Sequence, residues 1–325
     1  MSFDGKKGLR TFACLIAALF VLRIVLGFVL LPLNVAVALD FVVTVVFVSV
    51  PIIALFKAAF FEWTPKIGAV FLVCGGLVHA LCVVLLQTSL GNSGFAFVFA
   101  QSLVQAAIPV WTLGLGALVA SLVKDKNLIV PFAAVLAGLD MFLVFNPDAP
   151  TSKAVRQNPA LFHSLAYNVP AARVAAPSQP EGAMVVPMAF VGPADLLFIA
   201  AFFVLLTRFQ MKTKETVTWL APVMVVYLAL VMAPRLGLNM LPALVPIGAT
   251  VLIVNRKEFS MSKEETVMTW GAVIVALALA TTGLVKHFQA RAEERPAGRE
   301  RPVVGQEPQG QATTPVPTSE GRSQS

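Results

Sequence analysis

Residues 127–145 read NLIVPFAAVLAGLDMFLVF, an apolar run in which Asp140 is the single charged residue. A bilayer with a hydrocarbon core of roughly 30 Å selects helices of about 20 apolar residues. A carboxyl group inside such a run is costly, about 2.5–3.5 kcal/mol on insertion scales, and is therefore a candidate functional group. The stretch predicts a membrane-spanning helix that carries Asp140 in its interior.

Runs of the same kind fill most of the chain. Hydrophobic residues make up 58% of the sequence and charged residues 13%, whereas soluble domains contain about 25% charged residues. A water-soluble fold is excluded, because polar groups could not cover its surface. The sequence predicts an all-α polytopic membrane protein, and the other predicted spans are 11–33, 35–56, 66–87, 94–123, 185–209, 217–233, 241–254 and 267–286.

The number of spans depends on the run 94–123, which contains Pro109. One tilted helix there gives nine spans, and a break near the proline gives ten. With a cytoplasmic N-terminus, nine spans place the loop 146–184 and the tail 289–325 outside, and ten place both inside. Positive charges near helix ends fit neither arrangement fully, so the orientation of the second half stays open. The tail is rich in Arg, Glu, Pro, Gln, Gly and Ser, a composition that predicts disorder.

The net charge of +7 comes from Lys and Arg residues at the ends of the apolar runs and in the tail. This placement suits lipid headgroups, so the bilayer is an expected partner. No basic patch is interleaved with aromatic residues, and nucleic acid is not an expected partner. No His, Cys or Asp cluster has the spacing of metal ligands. We therefore expect neither a metal nor another cofactor.

A second carboxyl group lies in the run FVGPADLLFIAAFF (190–203), at Asp195. Gly138 and Gly192, next to the two aspartates, allow helices to approach closely. Two facing carboxyl groups in a low-dielectric site do not both ionise easily. One keeps a proton as general acid while the other activates water as general base. That is the chemistry of aspartyl peptide hydrolysis; the alternatives are structural hydrogen bonding and an ion pathway.

A third element is LNMLPALVPIG (238–248), which opens a later helix. Pro242 and Pro246 prevent a regular first turn and leave backbone groups free. Irregular backbone at membrane depth is tolerated where it lines a cavity or is buried in protein. This segment is therefore expected to border a wet site.

The order of these three elements resembles the presenilin and signal peptide peptidase family of intramembrane aspartyl proteases. That family has a Tyr-Asp pair, a Gly-x-Gly-Asp motif and a Pro-Ala-Leu motif that opens a later helix. Here they correspond to Leu139-Asp140, Gly192-Pro193-Ala194-Asp195 and Pro242-Ala243-Leu244. The chain departs from the family at Leu139, Pro193 and Ala194, and it has a further apolar run after the third motif. A second Pro-Ala-Leu copy at 159–161 shows that the tripeptide alone is weak evidence.

The resemblance covers 127–254 and implies a presenilin-like bundle with Asp140 and Asp195 as the catalytic pair. It implies an aspartic endopeptidase that cuts within transmembrane helices of protein substrates, supported by the Gly192–Ala194 and Pro242–Leu244 motif residues. Residues 183–191 are expected to offer a strand edge to the unwound substrate or to begin the next helix. The predicted regions are a scaffold (1–126), a catalytic region (127–255), an extra helix (256–288) and the tail (289–325). Short loops favour a prokaryotic plasma membrane, and homo-oligomerisation is left open.

Two other functions fit the same residues. An ion- or proton-coupled transporter would use the intramembrane aspartates and the broken helix at Pro242 as its site. An inactive relative would bind membrane helices without cutting them, an alternative that Leu139 and Ala194 keep open.

Arg23 and Asp40 lie on consecutive helices joined by a short turn, at depths that differ by roughly 6 Å. We predict a structural ion pair between them, with snorkelling of each side chain to its own headgroup layer as the alternative.

Overall fold

The computed structural model describes residues 5–88, 94–157, 164–170, 173–174, 187–232 and 241–294. These residues are mostly helical, and six helices are long and apolar enough to cross a membrane. Large apolar side chains such as Leu81 and Leu122 lie on the outer surface, 67% and 77% exposed. The protein is thus an integral membrane protein built from helices, and the predicted class is confirmed.

The first two helices, α1 (Gly5–Phe28) and α2 (Leu33–Ala58), run side by side. The start of α1 touches the end of α2, since a Cβ at Gly8 would lie 2.4 Å from the carbonyl oxygen of Lys57. A glycine permits this close approach of two backbones. Between the helices, β1 (Leu30–Leu31) pairs in parallel with β3 (Arg173–Val174).

Helices α3 (Pro65–Leu86) and α4 (Gly94–Leu122) form the second pair. Their contact also depends on glycine, because a Cβ at Gly114 would lie 2.4 Å from the backbone nitrogen of Leu72. α4 continues through Pro109 as one helix. The run 94–123 is therefore a single helix, the first of the two alternatives that the sequence left open.

A 3₁₀ turn (Lys126–Leu128) leads into α5 (Ile129–Phe145), which is followed by the short helix α6 (Pro150–Gln157). β2 (Tyr167–Pro170) then pairs antiparallel with β4 (Pro187–Val191). The strand interpretation of 183–191 holds for its second part, while 183–186 lie outside the described residues. So does the second Pro-Ala-Leu copy at 159–161.

Helix α7 (Pro193–Arg208) lies at the centre of the protein. It contacts α2, α4 and the later helix α9, and its residues 199–206 are all buried. Phe202 and Phe203 are among the largest fully buried side chains. Burial on all sides fixes this helix, and with it the position of Asp195 in its first turn.

The chain continues with α8 (Thr213–Met232), α9 (Leu244–Asn255) and α10 (Lys263–Glu294). α10 is the extra helix and packs against α5. It runs to Glu294, so the predicted boundary between helix and tail at 288 is too early. The remaining tail, 295–325, lies outside the described residues.

Several helix ends are tied together at one face of the protein. Arg208, at the end of α7, donates through Nη1 to the carbonyl oxygens of Ala120 (3.0 Å) and Val123 (3.1 Å). Asn127 donates through Nδ2 to the carbonyl oxygen of Ser260 at 3.1 Å, which joins the start of α5 to the start of α10. Because Lys and Arg residues flank these ends, we call this the basic face.

Candidate active site

Asp140 lies about two-thirds of the way along α5, counted from the basic face, and its side chain is partly buried. Its neighbour Leu139 is 38% exposed. Gly138, two residues before Asp140, touches α10: a Cβ added to Gly138 would lie 2.5 Å from Cα of Ala276. The close helix approach predicted at Gly138 therefore exists, and the partner is the extra helix.

The Pro242-Ala243-Leu244 motif meets Asp140 directly. Leu244 is the first residue of α9, and its backbone N–H donates to Oδ2 of Asp140 at 2.8 Å. The first amides of a helix have no partner within the helix and carry the positive end of its dipole. The start of α9 therefore binds the Asp140 carboxyl group through backbone that the proline-rich segment leaves free.

Asp195 lies in the first turn of α7, with Gly192 as N-cap and Pro193 as the first helical residue. Proline suits that position, because its fixed φ matches a helix and its missing N–H would have no partner there. Oδ2 of Asp195 accepts a hydrogen bond from the backbone N–H of Gly192 at 3.2 Å. A Cβ at Gly192 would lie 3.1 Å from that oxygen. Pro193, which departs from the motif of the resembled family, is thus compatible with the helix start. Ala194, a second departure from that motif, is exposed.

The two aspartates come together in space. Asp140 and Asp195, on α5 and α7, lie close enough for their carboxyl groups to interact electrostatically. The structure thus brings three distant motifs of the sequence to one place. Two interacting carboxyl groups, with a backbone donor at one oxygen of each, can divide the tasks of acid and base towards a water molecule.

Tyr227 on α8 is a member of this cluster that the sequence analysis missed. Its phenol interacts electrostatically with both aspartates and donates to the carbonyl oxygen of Leu241 at 2.5 Å. That carbonyl directly precedes Pro242. The sequence offers one signal for Tyr227, because tyrosine is rare in this chain, which has two. A phenol in an apolar helix also needs a hydrogen-bond partner.

Arg23 is buried in another part of the protein, with 1% of its surface exposed. It donates to the carbonyl oxygen of Asn168 and lies over the rings of Phe47 (5.1 Å to the centroid) and Tyr167 (5.7 Å). The Arg23 guanidinium therefore lies against β2 and two aromatic rings, and the contacts that the structure gives it do not include the predicted pair with Asp40.

Within the described residues, no group of three or more His, Cys, Asp or Glu side chains is arranged to hold a metal ion. Comparison of the chain with protein families, with characterised proteins and with solved structures finds no match.

Proposed function

We propose that the protein is an intramembrane aspartyl protease that uses Asp140 and Asp195. The observation that carries the proposal is the convergence of three elements: the two carboxyl groups interact, and the amide of Leu244 binds one of them. If the two aspartates were close only by chance, there would be no reason for the start of α9 to lie at the same point. The proposed fold is a presenilin-like bundle of nine spans, and the unbroken α4 supports that number.

In the proposed mechanism one carboxylate of the pair takes a proton from water, whose oxygen attacks the carbonyl carbon of the scissile peptide bond. The protonated partner donates its proton to the carbonyl oxygen, and a tetrahedral diol forms. As the diol collapses, one of its hydroxyl groups gives its proton to the aspartate that is now ionised. The C–N bond breaks, and the leaving nitrogen takes the proton that the other aspartate received from water. The products are a carboxylic acid and an amine, and the two aspartates return to their starting protonation.

The proposed substrates are transmembrane helices of other proteins. A helical peptide bond is protected by its own hydrogen bonds, so the cut segment must unwind. β4 ends at Val191 and Gly192 follows, which places β-structure next to the helix of Asp195. An extended segment of substrate beside this sheet would add a strand, a recognised mode of peptide binding.

The proposed location is a prokaryotic plasma membrane with the basic face towards the cytoplasm, according to the positive-inside rule. The starts of α1, α3, α5, α8 and α10 then lie inside, and the loop 146–184 and the tail lie outside. Cysteine labelling from either side, at Lys257 and at Asp148, tests this orientation, since these residues lie at opposite ends of the bundle.

The deciding experiment is cleavage of a fluorogenic transmembrane peptide by the full chain in detergent, beside Asp140→Asn and Asp195→Asn. Each substitution keeps the size of the side chain and is expected to lower kcat by about 1000-fold or more. Asp148→Asn is the matched control, because Asp148 is exposed and pairs with Lys286 away from the site. Cleavage that survived in either site variant would sink the catalytic pair.

A proton- or ion-coupled transporter is the second candidate, favoured by one observation. The chain is not helical at Leu241 and Pro242. The backbone N–H of Leu244, at the start of α9, donates to the carboxyl group of Asp140. Discontinuous helices of this kind form transport sites. Proton flux into liposomes, with no cleavage of any peptide, would select this function. Binding of helices with neither cleavage nor flux would select an inactive relative.

A further inference from the structure

A groove between α8 and α9 opens at the basic face, away from the aspartates. It holds about 500 Å³ of space. Its rim is charged and consists of Lys212, Glu215, Arg256 and Lys257. Its deeper part is lined by Trp219, Val223, Thr250, Ile253 and Val254. We call this the α8–α9 groove.

The rim of the α8–α9 groove is held by a buried asparagine. Asn255, fully buried at the end of α9, accepts from the backbone N–H of Lys212 at 2.9 Å and donates to Oγ1 of Thr216, also at 2.9 Å. These bonds fix the loop before α8 against the end of α9. The basic residues are thus presented by rigid backbone.

The charges at the rim leave a positive excess. Lys212 lies 3.6 Å from Glu215, in a pair that is partly exposed. Arg256 and Lys257 are exposed and form no ion pair with any side chain that the structure describes. Guanidinium and ammonium groups are the usual protein ligands of phosphate.

The deeper part of the groove is apolar and faces outwards. Trp219 is 62% exposed and Ile253 is 64% exposed, which is costly in water and favourable against lipid. From Thr213 to Val223 the groove wall descends about 15 Å along α8, at 1.5 Å per residue. That length is half of a hydrocarbon core of roughly 30 Å, or one leaflet.

We infer that the α8–α9 groove binds one anionic phospholipid of the leaflet at the basic face. The phosphate lies at Arg256 and Lys257, and an acyl chain lies along Trp219 and Ile253. The charge excess selects an anionic headgroup over a zwitterionic one, as basic pockets between transmembrane helices do. The apolar wall distinguishes a lipid from a free phosphate, which would occupy the rim alone.

The chain contains its own control for a test of this site. Trp270 on α10 is 64% exposed, nearly the same as Trp219, and does not line the groove. Two single-tryptophan variants are made, and both carry Trp63→Phe and Trp111→Phe. The first also carries Trp270→Phe and keeps Trp219. The second also carries Trp219→Phe and keeps Trp270. Each is reconstituted in phosphatidylcholine with a tenth of the lipid replaced by brominated-chain phosphatidylglycerol or by brominated-chain phosphatidylcholine.

Bromine quenches tryptophan on contact. Trp219 is expected to be quenched at least twofold more by the anionic brominated lipid than by the zwitterionic one, and Trp270 equally by both. Arg256→Gln with Lys257→Gln should remove the preference at Trp219. Lys263→Gln, which removes a positive charge from the same face outside the groove, should leave it.

Equal quenching of Trp219 by the two lipids would overturn the inference. Protection of Trp219 from quenching by both lipids would also overturn it, because that result would indicate a protein helix in the groove. Loss of the preference on addition of millimolar inorganic phosphate would also overturn it, because the rim would then be a site for free phosphate. The test reads lipid contact and not proteolysis, so it stands whatever the cleavage experiment shows.

Discussion

The backbone N–H of Leu244 and Oδ2 of Asp140, 104 positions apart in the chain, are joined by a hydrogen bond of 2.8 Å. The donor is an amide that the helix itself cannot use, because it belongs to the first turn of α9. The acceptor is a carboxyl group two-thirds of the way along α5. A proline-rich helix start thus becomes part of the environment of an intramembrane aspartate.

Removing the Leu244 amide tests the importance of this bond. Leu244→Pro deletes the N–H at a helix position where proline is otherwise tolerated. A hydrogen bond to a charged group contributes about 1.5–3 kcal/mol, so we expect kcat for peptide cleavage to fall by about 10- to 100-fold. KM is expected to change little, because the bond orients a catalytic group.

Leu244→Ala is the control for that substitution. It keeps the N–H and removes most of a side chain that is 5% exposed, so it should lower the melting temperature and leave kcat within a few-fold of the wild type. If alanine and proline reduced kcat equally, the amide would have no separate role.

Tyr227→Phe removes the hydroxyl group that reaches the carbonyl of Leu241. The segment before Pro242 then loses its tie to α8, and both aspartates lose a neighbouring phenol. We expect kcat to fall by about tenfold, equivalent to about 1.4 kcal/mol in the barrier. Thr218→Val removes a different hydroxyl from the same helix, one that bonds to Lys214 on the exposed side. An equal loss in both variants would show that Tyr227 contributes through helix stability alone.

The sequence was sufficient to predict most of the long helices and three residues of the cluster. Apolar runs set the helices, because a bilayer leaves no other way to satisfy the backbone. Asp140, Asp195 and Leu244 could be named from motif order, since intramembrane carboxyl groups are few. Tyr227 could not, because its position depends on the rotation of α8 about its axis.

Two other features depend on packing that the sequence does not encode locally. Arg23 was expected to meet Asp40, the nearest opposite charge by depth, yet its guanidinium reaches Asn168 in β2, 145 positions away. The division of the run 185–209 into a strand (Pro187–Val191) and a helix that begins at Pro193 likewise depends on pairing with β2. Depth along a helix could be counted from the sequence, while the direction that a side chain faces could not.

The contact between Gly138 and α10 is expected to set both stability and activity. Gly138→Ala adds a methyl group where backbone atoms lie 2.5 Å away, and overpacking of this kind costs about 1–3 kcal/mol. Asp140 lies two residues further on, so cleavage should fall together with the melting temperature. Gly271→Ala on α10 has nothing within 4 Å of the new methyl group and should stabilise by about 0.5–1 kcal/mol. Similar destabilisation in the two variants would contradict this close packing.

The partners of Arg23 can be separated by double-mutant cycles on the unfolding free energy in detergent. Arg23→Gln removes a buried guanidinium from the Asn168 carbonyl and from two aromatic rings, and we expect a loss of about 2 kcal/mol. Combined with Tyr167→Leu, which removes one of the rings, the cycle should give a coupling of about 1 kcal/mol. Combined with Asp40→Asn, the coupling should stay below about 0.5 kcal/mol, because the contacts of Arg23 are with Asn168 and the two aromatic rings. A large coupling with Asp40 and none with Tyr167 would instead support the predicted ion pair. It would show that Arg23 faces along α2 and away from the strand.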